Sequence, residues 1–361
     1  MGLDPNFWQG KRVFLTGHTG FKGSWLTLML QQLGAWVYGY ALPPPTDPNL
    51  FDLAQVTQAL VHSDLADIRD LQTLKTAMQA AQPEIVIHMA AQPLVKTAIA
   101  DPLDTFSSNI MGTAHLLEVM RQTPGIQAGV IITSDKAYLP NATRAHSESD
   151  PLGGHEPYAA SKACAELITL AYRETYSHSE QGPQLASARA GNVLGGGDWS
   201  PHRLLPDLVH AFAEGRPIPL RYPEAVRPWQ FVLDPLCGYL LLAQALCQKG
   251  SEFASAWNFG PDLDSTYTVG ELSAHSARLW GCETGWVQEP GEHPAETAYL
   301  RLNSDKARQK LHWQPKLSLE ETLTWTLNWY KAWHTGQDMA RYTAAQLAVY
   351  LEKLRLLEPA R

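Results

Sequence analysis

Residues 11–25, KRVFLTGHTGFKGSW, decide how the rest of the chain is read. An apolar run, VFL, leads into glycines at 17, 20 and 23, and GSWLTLMLQQLG follows with apolar residues at helical spacing and a glycine stop. The order is strand, tight turn, helix. Glycines at this point let the backbone turn sharply and approach a pyrophosphate, while a helix N-terminus offers the anion free N–H groups and a partial positive charge. A GxxGxxG spacing alone is weak; its place directly behind the first strand makes Gly17, Gly20 and Gly23 candidate dinucleotide ligands. His18 and Lys22 put a titratable and a cationic side chain on the same turn, either beside the pyrophosphate or on the solvated face.

The rhythm continues along the chain. WVYGYAL reads as a second strand, ADIRDLQTLKTAMQAA as loop and helix, EIVIHMAA as strand, FSSNIMGTAHLLEVMRQ as helix, GVIITSD as strand and YAASKACAELITLAYRETY as a long helix. Strands alternating with helices imply a parallel sheet covered on both faces. The predicted fold class is therefore α/β, a Rossmann-type doubly wound parallel sheet, with residues 1–190 as an NAD-binding domain. After about residue 190 Gly and Pro become frequent, so residues 191–361 read mainly as a smaller, mixed α/β substrate lobe, with some chain returning to the sheet. The acid that grips an adenosine ribose at the end of a second strand is missing: Tyr40, Ala41 and then three prolines stand there, with no Arg or Lys to meet a 2′-phosphate. NAD is the expected cofactor by default, with Asp67 and Ile68, after the third strand, as adenine contacts.

At 361 residues the chain exceeds one typical core, and 45% apolar with 18% charged residues describes a folded, globular protein. A net charge of −8 without a Lys/Arg stripe argues against nucleic acid or an anionic membrane as partner, so an anionic ligand must be met by local groups. Cys164, Cys237, Cys247 and Cys282 form no CxxC pair, which predicts a reducing compartment and no metal site. Without a long uncharged N-terminal run or a membrane-length apolar stretch, the expected location is the cytoplasm.

Tyr158 and Lys162, in YAASK, stand one helical turn apart and leave the same face. A phenol is a poor base near neutrality, and a neighbouring ammonium that stabilises the phenolate improves it. Ser134, at the end of the preceding strand, adds a hydroxyl able to hold the alcohol being oxidised, its plainer alternative being a turn cap. Hydride acceptor, base and positioning hydroxyl together oxidise a secondary alcohol to a ketone, which is the short-chain dehydrogenase/reductase constellation.

Here the chain resembles a known family. TGHTGFKGSWL, ALPPPT, AAQPLV, NIMGT, TSDK, DPLGGHEPYAASKACAEL, SARAGNVLGGGDW and VRPWQFVL, in this order, resemble the CDP-D-glucose 4,6-dehydratases of the extended short-chain superfamily. The likeness runs from about residue 7 to DMARYTAAQLAVY near the end. It implies CDP-glucose as substrate, NAD regenerated within each turnover, a role in deoxysugar biosynthesis, and a homodimer or homotetramer paired through a helix bundle. It adds Phe21 and the Ala90, Ala91 and Gln92 of AAQPLV to the cofactor contacts, and offers Asn192, Arg203 and Arg227 for the nucleotide sugar. Glycines 195–197 would let the backbone close on the ligand, and Trp199 and Trp229 either flank it or pack in the core.

The resemblance also gives a use to an acid and an amine side by side. Oxidation at C4 of a hexose makes the C5 hydrogen acidic; a base then removes it while an acid protonates the departing 6-hydroxyl. Asp135 and Lys136 stand where sugar-nucleotide 4,6-dehydratases carry that acid and base, the CDP-linked family using Lys in the second place. Lys136 must be neutral to act, which calls for burial or a cation such as Lys162 nearby. The sequence departs from the family after Lys136, where Ala137 replaces a Cys and LPNATRAHSESD is polar. Two other readings stay open: an epimerase or simple reductase, with no use for Asp135 and Lys136, and a non-catalytic dinucleotide-binding protein, with no use for Ser134, Tyr158 and Lys162.

Overall fold

Runs that carry Val, Ile, Leu and Phe without alternation lie in the middle of one sheet. In a computed structural model, which describes residues 2–140, 144–177, 182–262, 267–283, 285–291 and 300–356, that sheet has seven strands. They are β1 (Arg12–Thr16), β2 (Trp36–Ala41), β3 (His62–Leu65), β4 (Ile85–His88), β5 (Ala128–Ile132), β6 (Gln184–Ala190) and β7 (Ala256–Phe259). Their order is β7-β6-β5-β4-β1-β2-β3, and every pairing is parallel. Central β1, β4 and β5 are covered on both faces, which is why their sequences do not alternate. After β3 the chain crosses to the other side of β1. The reversal opens a crevice beyond the carboxyl ends of β1 and β4, the place where open α/β sheets take ligands.

Helices α1 (Phe21–Gln32), α2 (Leu71–Ala81), α3 (Gly112–Gln122), α4 (Pro157–Tyr176) and α5 (Leu233–Lys249) flank the sheet. Side chains of α2 and α3, among them Leu74, Met78, Leu116 and Met120, close one face over Phe14 and Val86. The core on the other face, with Trp25 of α1 and Leu236 and Leu240 of α5, runs without a break into Trp313, Leu323 and Trp329. Helix α5 is consequently buried nearly all round, and its sequence shows no polar stripe. Helix α4 begins sharply because Glu156 accepts the N–H groups of Tyr158 and Ala159 and Pro157 takes the first position.

Beyond β6 lie short two-stranded pieces, Val193–Leu194 with Gln230–Phe231, Val226–Arg227 with Tyr267–Thr268, and Ile218–Leu220 with Trp286–Gln288. Helices Leu204–Ala213, Val269–Trp280, Leu319–His334 and Met339–Leu356 accompany them. Capping boxes, Thr268 with Glu271 and Ser318 with Glu321, start the second and third of these helices. Through α5 and β7 the chain returns to the sheet. No helix among the described residues is long and apolar enough to cross a membrane.

Candidate active site

The glycine turn joins β1 to α1 at the mouth of the crevice. Gly17 has φ +77, and a Cβ there would stand 2.7 Å from the Ala90 nitrogen; one on Gly23 would stand 2.0 Å from the Gly17 carbonyl oxygen. Both glycines are demanded by the protein's own backbone. Gly20 is different: its φ of −77 and ψ of 168 suit any residue, and a Cβ would meet nothing closer than 3.5 Å. The described residues therefore do not require glycine at position 20, which stands at a helix N-terminus without a side-chain cap, where N–H groups are free for an anion.

The neighbours of this turn depart in part from the sequence reading. The His18 ring does not face an anion. It is fully buried under β2, with Nε2 2.8 Å from the Ser63 hydroxyl and its edge against Phe51, and it fills the space a Cβ on Gly39 would need. Burial lowers it to about 4, so it stays neutral and acts as packing. Lys22 reaches toward the reactive centre instead of solvent: its ammonium donates to the Tyr239 hydroxyl of α5 at 3.0 Å, and burial together with Lys162 and Arg203 lowers it to about 7. Phe21 lies beside Gly195, where a Cβ would come within 3.2 Å of its ring. Asp67 is gripped by Arg69, whose Nε donates to both carboxylate oxygens at 3.0 and 2.9 Å, and this bond holds the acid ionised below its usual range. The Ile68 side chain is buried against Gly112.

Beyond β4, Thr16 accepts the N–H groups of Met89 and Ala90 at 3.1 Å each and bonds His88 at 2.7 Å. Ala91 and Gln92 follow, and Asn109 clips Gln92 in place through both its N–H and its carbonyl, at 2.8 and 3.0 Å. The same Asn109 donates to the Ser161 hydroxyl at 2.9 Å, tying this loop to the Tyr158–Lys162 turn of α4. Asn109 sits in a π-helical widening, Ser107–Met111, ahead of α3. Nothing in its spacing marked it; only the NIMGT segment as a whole pointed there.

Strand β5 stops at Ile132, earlier than GVIITSD suggested, because Ser134 is extended and caps a short 3-10 turn, Asp135–Ala137. The Ser134 hydroxyl accepts from the Lys136 N–H at 3.2 Å and donates to Asp135 Oδ1 at 3.0 Å. Ser134 thus does cap a turn. Burial pushes the Tyr158 phenol up to about 12, against the neighbouring Ser134 hydroxyl and the Arg203 charge, which pull it down. Lys162 donates to the Ile132 carbonyl at 3.3 Å; burial lowers its ammonium to about 8, while the Glu166 carboxylate works the other way. The helix spacing cast Lys162 as the cation that lowers Tyr158; in the structure the Arg203 charge pulls the phenol down, and desolvation outweighs it.

Asp135 is buried, and its carboxyl is held above the usual range by desolvation, opposed by Lys136, Ser134 and Arg227. Among the described residues its Oδ2 has no hydrogen-bond partner, and it faces Gly191, on which a Cβ would stand 2.8 Å away. Lys136, half-buried, follows on the same turn. Arg203 bonds Asp198 at 2.8 Å and its charge reaches both Lys22 and Tyr158; buried Arg227 reaches Asp135. Asn192 is exposed at the rim, its carbonyl accepting from Gln230 N–H at 3.1 Å. Glycines 195–197 serve packing: side chains there would strike Val232, the Trp329 ring and Leu50. Trp199 joins a cluster with Trp329, Tyr330 and Trp333, and Trp229 is buried too. Asn141, Ala142 and Thr143 of the polar loop lie outside the described residues; Ala137 is fully buried, where a side chain near cysteine's size is the alternative.

The sequence-predicted groups Ser134, Asp135, Lys136, Tyr158 and Lys162 come together at the ends of β5 and α4, ringed by Lys22, Arg203 and Arg227. Tyr239, which sequence reasoning missed because α5 reads as plain core, adds a second phenol within the fields of Asp135 and Tyr158. Such a site supplies a proton acceptor, a buried acid and cations for a diphosphate in a chain that is acidic overall.

Comparison with known proteins places the chain in a family. Residues 14–326 match the family model described as GDP-mannose 4,6 dehydratase. The chain is 45% identical over 354 residues to a CDP-glucose 4,6-dehydratase of Salmonella typhimurium, covering 97% of this chain and 98% of that protein. It is 29% identical to a dTDP-glucose 4,6-dehydratase of Neisseria gonorrhoeae, covering 89% and 95%. Among solved structures, a dTDP-glucose 4,6-dehydratase of Streptomyces venezuelae with NAD bound superposes with a TM-score of 0.77 at 25% identity, covering 91% and 99%.

Proposed function

This chain belongs to the GDP-mannose 4,6 dehydratase family, and we propose from that premise that it is an NAD-dependent CDP-glucose 4,6-dehydratase, releasing water to give CDP-4-keto-6-deoxyglucose. One observation carries the reading: the near-full-length match to a protein of that name goes with an acid, Asp135, and an amine, Lys136, on the same turn as Ser134, facing Tyr158. An epimerase or a silent binding protein has no use for that pair.

The residues act in sequence. Ser134 and Tyr158 hold the C4 hydroxyl, and the Tyr158 phenolate takes its proton as hydride leaves C4. Gly17, Gly20, Gly23 and Lys162 would hold NAD, which would supply the hydride acceptor for C4 and, once water has left, the hydride for C6. A bound nicotinamide cation would add to the Arg203 charge in opposing the burial that raises the phenol. Lys136 removes the C5 proton made acidic by the C4 ketone and gives a proton back to C5 when C6 receives its hydride. Asp135, whose hold on a proton burial strengthens, gives a proton to the 6-hydroxyl, and water departs across C5 and C6. Arg203 and Arg227 offer charge to the nucleoside diphosphate, with Asn192 at the rim. Redox is balanced within one turnover, so no external reductant is consumed.

Residues 1–190 with α5 and β7 carry the cofactor in this reading, and the rest of 191–361 carries the sugar nucleotide. A second copy of the chain covers the apolar set Ile99, Leu103, Met111, Leu167 and Leu170, all exposed on α4 and the helices beside it. Four free cysteines suit a cytoplasmic setting. The test is incubation with CDP-glucose and NAD, following the ultraviolet absorbance that a 4-keto sugar gives in alkali. The same experiment with dTDP-, GDP- and UDP-sugars reads the base preference; no keto sugar from any of them refutes the dehydratase reading.

A further inference from the structure

Beneath the reactive turn lies an ion pair that the proposed chemistry does not use. Glu166 stands one turn after Lys162 on α4, and Arg189 lies near the end of β6; both side chains are 3% exposed. Arg189 grips Glu166 with two prongs, Nε to Oε1 at 2.9 Å and Nη2 to Oε2 at 2.7 Å. Apolar residues of similar volume would join α4 to β6 at least as well, since a buried pair must first be desolvated. What apolar residues would not supply is direction and charge.

Both qualities are used. Glu166 Oε1 accepts from the Thr133 hydroxyl, and Oε2 from Ser187 at 2.6 Å. Arg189 Nη1 donates to the Tyr138 hydroxyl at 2.7 Å. Thr133 and Tyr138 are the two ends of TSDKAY, the residues just outside Ser134–Ala137. Tyr138 is held further: its hydroxyl donates to Asn258 Oδ1 at 2.7 Å, and its ring stacks on His146 with centroids 4.6 Å apart. One buried pair therefore ties down both ends of the turn that carries the acid and the amine.

We propose that Glu166 and Arg189 are positioning residues for the elimination: together they clamp the two ends of the Ser134–Ala137 turn, and Glu166, one helical turn from Lys162 on α4, sets a carboxylate on the same face as that lysine. The proposal rests on the dehydratase reading, and wild-type turnover of CDP-glucose reports on that reading separately. Displacing a catalytic group by a fraction of a bond length is costly to rate, so loosening one end of the clamp should slow the step that uses Asp135 and Lys136 more than the step that uses Tyr158.

Tyr138→Phe keeps the ring, its stack and its volume while removing the hydroxyl that Arg189 holds. Single-turnover mixing with CDP-glucose should show reduction of bound NAD slowed by less than about twofold, and keto-sugar release slowed by about tenfold. Equal slowing of both, or of neither, overturns the clamp. Glu166→Gln removes the charge beside Lys162, so the alkaline limb of kcat/KM should lie at lower pH than in wild type, and Glu166→Asp should restore it. A limb that stays in place while only the melting temperature falls overturns the charge role. If Glu166→Gln does not fold, Tyr138→Phe and Glu166→Asp still decide the matter, the latter by a limb at the wild-type position.

Discussion

Replacing Gly20 by alanine separates what the fold needs from what the ligand needs. At φ −77 and ψ 168 the backbone suits alanine, and the new methyl would find no protein atom closer than 3.5 Å. Alanine gives up less chain entropy on folding, a gain of about 0.4–1 kcal/mol. As a helix N-cap it is poorer than glycine by roughly the same amount. The two effects nearly cancel, so the melting temperature without ligand should stay within about 2 °C of wild type. The methyl nevertheless occupies the space left bare for a pyrophosphate, and loss of one close approach there should weaken NAD binding by at least about tenfold, or about 1.4 kcal/mol. Gly17→Ala reverses the pattern. A left-handed conformation costs alanine about 1–2 kcal/mol, and a Cβ 2.7 Å from the Ala90 nitrogen adds about 1–3 kcal/mol of overpacking, so this variant melts several degrees lower before any ligand is added. Calorimetric melting without NAD and titration with NAD measure the two quantities independently. Gly20→Ala with wild-type affinity, or with a melting temperature as low as that of Gly17→Ala, would refute the assignment of the turn.

Other perturbations probe other links. Lys136→Met should still reduce bound NAD when CDP-glucose is added but stop exchange of the C5 hydrogen with deuterated water; exchange at the normal rate would remove Lys136 as the base. Asp234, buried with Oδ1 accepting from Lys316 N–H and Tyr350 OH at 2.9 Å each, is raised by burial to about 7. The folded carboxyl thus keeps a proton that the unfolded one has lost, and stability falls as pH rises between about 4 and 7, by about 4 kcal/mol at most. Asp234→Asn keeps the accepting oxygen, so it should match wild type near pH ~4 and melt higher near pH ~8; equal melting at both would place the acid's ionisation elsewhere. Leu167→Glu, at a position 53% exposed on α4, should shift sedimentation toward a monomer, and an unchanged oligomer would clear that face.

The sequence by itself determined the α/β rhythm, the glycine turn and the TSDK and YAASK segments, because each is a local pattern. A strand ending in glycine, an N-cap followed by proline, and residues one helical turn apart depend on neighbours in the chain, and a resemblance built from such segments carried the functional reading. The structure decided what depends on distant partners. His18 turned away from the expected anion because β2 and β3 left a hole for its ring at Gly39, and glycines 195–197 proved to be spaces for Trp329 and Leu50. Lys22 met Tyr239 across 217 positions of sequence, and Asn109 joined two loops that no local pattern relates. Whether Tyr158, Lys162 and Asp135 gain or lose protons is likewise a property of burial, and burial is set by which elements fold over a residue. Composition and spacing name the groups able to do chemistry; their protonation and aim come from contacts that exist only once the sheet has closed.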